Sequence, residues 1–206
     1  DQVVVTVNPL PNIDFSANVT TGCNPVDVFF TNNSTNSSLC VWTIGDGSII
    51  NDCGNVSHTF LTAGCFDVTL TISSIEECVN SMTQTNMICV NETPLAAFDA
   101  SSTVVETSDA NITFTNSSIG ASSYSWDFGD ESTISNDVSP QHDYATADFG
   151  NYLVTLIATT PMGCVDTAYK TIQVSEYLLF FIPNTFTPDG DEHNNLWGPV
   201  FTSGYD

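Results

Sequence analysis

The sequence predicts an all-β protein that consists of two β-sandwich modules in tandem and a short C-terminal β segment. The first indication is an internal repeat: Trp42–Gly47 reads Trp-Thr-Ile-Gly-Asp-Gly, and 84 positions later Trp126–Asp130 reads Trp-Asp-Phe-Gly-Asp. The second indication is that no segment shows helical periodicity, while Ser, Thr, Asn and Asp are dense throughout. A repeat of this length suits one sandwich module and is too long for the unit of a solenoid.

The strands of each module are predicted from alternating side chains. Along residues 66–73 apolar and polar side chains alternate, which is the pattern of a half-buried strand. The same alternation returns at residues 152–156, and each module has an earlier apolar pair, at 28–30 and at 112–114. Repeated strands with intervening turn signals predict a sandwich with Greek-key connections.

A turn follows the tryptophan strand in each module. The strands that carry Trp42 and Trp126 both run into a Gly-Asp pair. This pair is typical of a tight hairpin, because glycine tolerates a positive φ and aspartate can hydrogen-bond the backbone nearby. We therefore expect a tight hairpin at the same place in both modules.

Proline-containing and polar stretches suggest the domain boundaries. Asn8-Pro9-Leu10-Pro11 is typical of a stiff linker, and short linkers are also expected near residues 90–94 and 174–176. The expected segments are residues 1–11 as the end of a preceding module with its linker, 12–91 as module 1, 94–175 as module 2, and 177–206 as a separate β segment.

The charge of the chain excludes several classes of partner. The chain has 24 acidic residues against a single basic residue, Lys170, and a formal net charge of −23. Nucleic acid is excluded, since phosphate binding requires several lysines or arginines. The longest apolar run, Tyr177–Ile182, is far shorter than the roughly 20 residues that span a bilayer. We therefore expect no membrane-spanning segment.

The cysteines predict disulfides and hence a location outside the cytoplasm. Metal binding is disfavoured, because no two cysteines are as close as in a Cys-x-x-Cys motif. Cys164 is the only cysteine of module 2, so we expect either a buried free thiol there or a link between modules. The pairing in module 1 stays open at this stage. Its disulfide candidates are Cys23, Cys40, Cys53, Cys65, Cys78 and Cys89.

The tryptophans and two of the histidines are expected to be structural. Trp42 and Trp126 are interpreted as core residues that pack against the facing sheet. His58 and His142 occupy equivalent positions in the two repeats. This equivalence favours a packing or hydrogen-bonding role, since a catalytic histidine would need a nucleophile or a second base beside it. No catalytic residue is predicted, and the protein is expected not to be an enzyme.

Calcium is the cofactor that the carboxylates suggest, in competition with plain solvated turns. One candidate loop combines oxygen ligands around a glycine, as flexible calcium loops do. The second candidate is the turn after Trp126. No other cofactor is expected. The candidate ligands are Asp189, Asp191, Asn194 and Asn195 in the first loop, and Asp127, Asp130 and Glu131 in the second.

Four ordered motifs of module 2 carry a resemblance to a known family. They are Phe-Thr-Asn-Ser at Phe114–Ser117, Trp-Asp-Phe-Gly-Asp at Trp126–Asp130, His-Asp-Tyr at His142–Tyr144, and Gly-Asn-Tyr-Leu-Val-Thr-Leu at Gly150–Leu156. Together they resemble the PKD (polycystic kidney disease) domain, which is an immunoglobulin-like β-sandwich. Module 1 departs from the motif at the two residues after Trp42. The resemblance implies tandem PKD domains over about 165 residues.

The tail carries a second resemblance. Phe181–Asp191 is similar to the opening of the gliding-motility-associated C-terminal domain, the type B sorting signal of the type IX secretion system of Bacteroidetes. The family usually continues with Gly-x-Asn-Asp-x-Phe, from which residues 192–197 depart. The residues that match the sorting motif are Phe181, Ile182, Pro183, Asn184, Phe186, Thr187, Pro188, Asp189, Gly190 and Asp191.

These resemblances imply a non-enzymatic stalk and secretion-signal region of a large adhesin at the cell surface. The expected partners are the type IX translocon and an outer-membrane protein of the PorP/SprF type, with a link to gliding motility or surface adhesion. One alternative is that the PKD modules bind surface glycans or calcium. Another is an accessory region of a secreted hydrolase whose catalytic domain lies elsewhere.

Overall fold

A computed structural model describes residue 3, residues 7–176, and the backbone of residues 178–181 and 200–203. These residues form two compact units. Unit 1 comprises Asp1–Thr93 together with Met162–Cys164, and unit 2 comprises Pro94–Pro161 and Val165–Asp206. The described residues contain β-strands and no helix, which confirms the predicted fold class of tandem β-sandwiches. It follows that the described part has no helix that is long and apolar enough to cross a membrane.

Unit 1 is a sandwich of two sheets. One sheet has the order β1-β3-β6 and the other the order β2-β8-β7-β4-β5. Its pairings are antiparallel except that β2 runs parallel to the end of β8. The strands are β1 (Phe15–Ala17), β2 (Thr21–Cys23), β3 (Val26–Asn32), β4 (Leu39–Ile44), β5 (Ile49–Ile50), β6 (Val56–Phe60), β7 (Gly64–Ser73) and β8 (Val79–Asn91).

Unit 2 repeats this architecture. Its sheets have the orders β9-β11-β13 and β10-β15-β14-β12, and β10 runs parallel to the end of β15, as β2 does to β8. A two-stranded antiparallel ladder of β16 and β17 follows. The strands are β9 (Phe98–Ala100), β10 (Val104–Glu106), β11 (Asn111–Asn116), β12 (Ser123–Asp127), β13 (Gln141–Asp143), β14 (Gly150–Thr159), β15 (Val165–Ser175), β16 (Leu178–Phe181) and β17 (Val200–Ser203).

A tryptophan lies at the centre of each core. Trp42 is fully buried, with ring centroids 5.2 Å from Phe15 and 5.7 Å from Phe30. Trp126 is buried in the same way, with centroids 5.0 Å from Phe98 and 5.8 Å from Phe114. The indole N–H groups donate to the backbone carbonyls of Asp52 and Asp137, at 3.0 and 2.9 Å. Because its one polar atom is hydrogen-bonded, each indole adds buried apolar area to the core without leaving an N–H group unsatisfied.

The alternation along β7 places one face of this strand in the core and the other face toward solvent. Val68, Leu70 and Ile72 are buried, whereas the residues between them are half exposed. Burying side chains of this size contributes about 1.5–3 kcal/mol each. Equivalent burial of Val154 and Leu156 on β14 shows that the same pattern builds the second core.

The expected tight hairpin occurs in only one of the two units. In unit 1, β4 and β5 pair directly, and the backbone of Ile44 bonds Ser48 across the turn. In unit 2, β12 is followed by a longer loop that returns as a single bridge between Trp126 and Ser135. The prediction of a tight hairpin after Trp126 was therefore wrong. The residue after Gly-Asp has a positive φ in both units, 96° at Gly47 and 63° at Glu131, so the backbone conformation of this residue does not distinguish the two turns.

The cysteines form three disulfides, and one of the predicted candidates is free. The pairs are Cys40–Cys53, Cys65–Cys89 and Cys23–Cys164. Cys78, one of the six predicted candidates, has no disulfide partner within the chain and is its free cysteine. Cys164 instead pairs with Cys23, within unit 1, which includes the turn Met162–Cys164. A partner 141 residues away cannot be inferred from local spacing.

The predicted sorting motif lies outside the described residues, apart from the backbone of Phe181 at the end of β16. The first candidate calcium loop, Asp189–Asn195, also lies outside them. Both remain predictions from the sequence.

Candidate functional site

Each unit places an aspartate and a histidine in contact at the same point of its sandwich. In unit 1, Asp46 lies in the turn after β4 and His58 lies in the middle of β6. His58 Nε2 is 2.6 Å from Asp46 Oδ2. An ionised carboxylate can only accept, so the imidazole N–H donates. Because β4 and β6 belong to different sheets, the bond joins the two layers of the sandwich.

The pair in unit 2 has the same geometry. Asp130 follows β12, His142 lies on β13, and His142 Nε2 is 2.7 Å from Asp130 Oδ2. Again the two strands belong to different sheets. The separation in the chain is 12 residues in both pairs. The pair is thus a feature of the module and is present in both copies.

Each aspartate also holds its own turn. Asp46 Oδ1 accepts the backbone N–H of Ser48 at 3.0 Å, and Asp130 Oδ1 accepts that of Ser132 at 3.2 Å. One carboxylate oxygen therefore closes the turn while the other reaches the histidine. Aspartate has the short side chain and two acceptors that this double role requires.

Aromatic rings fix the orientation of each imidazole. His58 meets Phe60 edge-on at 4.8 Å between centroids. His142 stacks on Phe128 at 4.0 Å and meets Tyr144 edge-on at 4.6 Å. These ring contacts, together with the hydrogen bond to the aspartate, hold each imidazole in one orientation. This packing favours a structural role for the two histidines.

The pKa values of the two aspartates are lowered. Partial burial raises the pKa of Asp46, but the hydrogen bonds from Ser48 and His58 outweigh burial and bring it below its ordinary value of 3.8. For Asp130, burial likewise raises the pKa, and the hydrogen bonds from Ser132 and His142 lower it further than burial raises it. Both carboxylates are therefore ionised acceptors at neutral pH.

Tyr144 completes the unit 2 site. Its hydroxyl is buried and donates to the carbonyl of Phe128 at 2.9 Å. Burial raises the pKa of Tyr144 far above its ordinary value, and the negative charges of Asp130 and Asp127 raise it further. The hydroxyl therefore stays protonated and keeps its hydrogen bond to the carbonyl of Phe128, the residue before Gly129.

The second set of calcium candidates does not converge on one point. Asp127 Oδ1 accepts the backbone N–H of Gly129 at 2.9 Å, and Asp130 is committed to Ser132 and His142. Asp130 and Glu131 line an open cavity of about 370 Å³ together with Asp148 and Tyr152. Within the described ranges, no group of three or more His, Cys, Asp or Glu side chains is arranged to hold a metal ion.

The hydrogen bonds of the two imidazoles are those of a structural pair. Among the described residues, neither imidazole is hydrogen-bonded to a nucleophilic hydroxyl or thiol, which an Asp-His pair would need to act as a general base. Trp42 and Trp126 are fully buried and so have no face on which a glycan could stack. What the geometry can do is hold two sheets together.

The aspartate partner was the part of the site that sequence reasoning missed. His58 and His142 were recognised as equivalent, and Asp130 was considered only as a calcium ligand. The signal was present in the repeat, since Asp46 and Asp130 are equivalent to each other and lie equally far before their histidines. Two polar residues that recur together in both copies indicate a contact that the module requires.

Several solved structures are similar to parts of this chain. The PKD1 domain of the Vibrio cholerae metalloprotease PrtV is 30% identical over 40% of this chain and 98% of its own, with a TM-score of 0.35. The PKD1 domain of Vibrio anguillarum Epp is 29% identical over 41% of this chain and 96% of its own, also with a TM-score of 0.35. No curated protein matches the chain.

The family comparison covers both repeats. The family model described as the PKD domain matches residues 6–90 and, directly afterwards, residues 91–175. These ranges contain both tryptophan-centred cores and both aspartate–histidine pairs. The chain therefore belongs to the PKD domain family, of which it contains two consecutive members.

Proposed function

We propose that this chain is the non-enzymatic stalk and secretion-signal region of a large cell-surface adhesin that the type IX secretion system exports. The PKD family and the three disulfides indicate an extracellular, adhesion-type protein. The stalk is the role of the two PKD modules, and the export signal is the role of the tail. A link to gliding motility or surface adhesion follows from the resemblance of the tail.

One observation carries the stalk assignment. In both modules, the side chains best suited to chemistry or to glycan stacking are used inside the sandwich. His58 and His142 are bonded to aspartates across the two sheets, and Trp42 and Trp126 are buried. A module whose tryptophan and histidine stabilise its own fold is suited to a structural role in a stalk.

The export assignment is supported by the sequence of the tail. Phe181–Asp191 resembles the opening of a type B sorting domain. The proposed partners are the type IX translocon and an outer-membrane protein of the PorP/SprF type. A net charge of −23 is compatible with export and with solubility at the surface, because like charges oppose aggregation.

The experiment that tests the export role is a pull-down from outer-membrane extract of a gliding Bacteroidetes bacterium. The baits are the full chain, the same chain ending at Glu176, and a full-length control in which Phe186 and Pro188 are both replaced by serine. Translocon components captured by the full chain alone support the proposal. Equal capture by all three baits refutes the sorting role of the tail.

The same pull-down separates the alternatives. If all baits retain a surface glycan or a glycan-bearing protein, the PKD modules are binding elements. If no bait captures translocon components or a glycan, the result favours the remaining alternative, an accessory region whose catalytic domain lies elsewhere in the same hydrolase. Neither alternative is favoured by a particular contact among the described residues.

A further inference from the structure

The turns before Cys78 and Cys164 are equivalent. Ser74–Cys78 connects β7 to β8, and Thr160–Cys164 connects β14 to β15. In both turns a buried hydroxyl residue comes first, Ser74 or Thr160. The residue before the cysteine has a left-handed φ in both, 63° at Glu77 and 83° at Gly163. The two cysteines therefore end turns of equal length that share a left-handed residue just before the cysteine.

Cys164 shows what a cysteine at this position does. It is 1% exposed and bonded to Cys23, with a Cα–Cα distance of 5.7 Å. Cys23 is the last residue of β2, the short strand that runs parallel to the end of β8. The turn cysteine of the second repeat is thus bonded to the β2 cysteine of the repeat that precedes it in the chain.

Cys78 has no such partner within the chain. It is a free and partly exposed thiol, and the other six cysteines are paired with one another. In the second repeat the residue at the β2 position is Glu106, at the end of β10, rather than a cysteine. Since the turn cysteine pairs with the preceding repeat, the partner of Cys78 would belong to a module on the N-terminal side of module 1.

We infer that Cys78 is a disulfide site for a further PKD-type module on the N-terminal side, whose cysteine occupies the position that Cys23 occupies in module 1. The partner is thus defined by its fold and by one thiol. This inference does not depend on the export role of the tail.

Formation of this bond is an oxidation by thiol–disulfide exchange. The thiolate of one cysteine attacks a small disulfide such as glutathione disulfide, and one glutathione thiolate leaves. The thiolate of the second cysteine then attacks the cysteine sulfur of the mixed disulfide and releases the second glutathione. Two protons are lost from the cysteines, and two electrons reduce the glutathione disulfide to two thiols.

The first test duplicates module 1 in front of the chain. Residues 1–93 are joined directly to residues 11–206, so that Pro11 follows Thr93 as Pro94 does naturally. The junction keeps the register, because Asn12 and Leu95 form equivalent bridges after these prolines. The protein is folded in a glutathione redox buffer, its free thiols are alkylated, and its disulfide-linked peptides are mapped by mass spectrometry.

The expected product is a peptide pair that links Cys23 of the first copy to Cys78 of the second. One free thiol then remains, Cys78 of the first copy. The matched control replaces Cys78 of the second copy by serine, which removes the linked pair and leaves Cys23 of the first copy alkylated. A folded duplicate in which Cys23 of the first copy and both copies of Cys78 are alkylated overturns the inference.

The second test uses the full chain without duplication. The substitutions Pro161→Ile, Met162→Glu and Gly163→Glu place the turn sequence of module 1 in front of Cys164. The expected result is that Cys164 still pairs with Cys23, as it does in the parent chain. If Cys164 becomes alkylated in this folded variant, the module 1 turn cannot present a cysteine for pairing, and the inference fails.

Discussion

At the scale of single residues, one carboxylate in each module accepts hydrogen bonds from two different parts of the sandwich. Asp46 and Asp130 each close a turn with one oxygen and bond a histidine of the opposite sheet with the other. The four side chains of the two pairs are only 10–21% exposed, so water competes only partly for their hydrogen bonds. A charged acceptor in such a place strengthens its hydrogen bonds, so the pair stabilises the sandwich more than a surface ion pair would.

Replacing Asp130 by asparagine should destabilise unit 2. We expect a loss of about 1–3 kcal/mol in its free energy of unfolding at about pH 7, because a charged hydrogen bond to His142 is lost. The measurement is hydrogen exchange of the β13 and β14 amides in increasing urea. Asp127→Asn is the matched control, since Asp127 caps the same turn without contacting a histidine. An equal loss in both variants would contradict the role of the pair.

The stability difference between the parent and Asp130→Asn should depend on pH, and the lowered pKa of Asp130 sets the direction. The folded-state pKa of Asp130 is lowered, so its stabilising contribution is present above the unfolded-state pKa of about 3.9 and is lost as the pH falls through the folded-state pKa. The difference between the parent and Asp130→Asn should therefore shrink below about pH 4. A difference that stays constant down to about pH 2 would show that the charge of Asp130 is not what stabilises the unit.

At the scale of elements, the turn after β12 packs directly against β14. Gly129 has a φ of 80°, and a Cβ built on it would lie 2.7 Å from the carbonyl oxygen of Leu153. Only glycine allows both this backbone conformation and this approach. The tight packing brings Asp130 within reach of His142, so the glycine positions the pair.

Replacing Gly129 by alanine should cost unit 2 about 2–4 kcal/mol, since the left-handed backbone and the clash with β14 both oppose the side chain. Gly47→Ala is the matched control in unit 1. Gly47 has a φ of 96° but no atom within 4 Å of its Cβ position, so only the backbone cost of about 1–2 kcal/mol should appear. Urea-dependent hydrogen exchange measures each unit separately. Equal losses of unfolding free energy in the two variants would mean that the turn of Gly129 can move away from β14 without destabilising unit 2.

The elements could be predicted where the information is local. The alternation along β7 and β14 is written in consecutive residues, so both strands and their buried faces followed from the sequence. The loop after β12 could not be predicted, because Gly-Asp permits a tight hairpin but does not require one. The bond between Asp130 and His142 could not be predicted either, since it depends on how two sheets stack.

At the scale of the whole molecule, an acidic surface surrounds two separate cores. Lys170 is the only basic residue, and it pairs with Asp99 at 2.8 Å. The pair is partly exposed, so it contributes little to stability. With a net charge of −23 the chain repels itself, and its stability has to come from the cores and the disulfides.

The disulfides are distributed unevenly between the units. All three pairs lie in unit 1, so unit 2 has no disulfide of its own. The pairing of Cys23 with Cys164 could not be predicted from the sequence, because only the folded chain brings together residues that are 141 positions apart. The sequence did indicate that Cys164 has no partner among neighbouring cysteines of its own repeat.

Reduction should therefore destabilise one unit selectively. The disulfides Cys40–Cys53 and Cys65–Cys89 close loops with separations of 13 and 24 residues, and in the chain-entropy model each contributes about 3 kcal/mol. We expect dithiothreitol to lower the urea midpoint of hydrogen exchange in β3 and β7 and to leave that of β11 and β14 unchanged. The double variant Cys40→Ser, Cys53→Ser should reproduce part of the shift without reductant. A matching shift in β11 and β14 would show instead that the stability of unit 2 depends on the disulfides of unit 1, and that the two modules do not unfold independently.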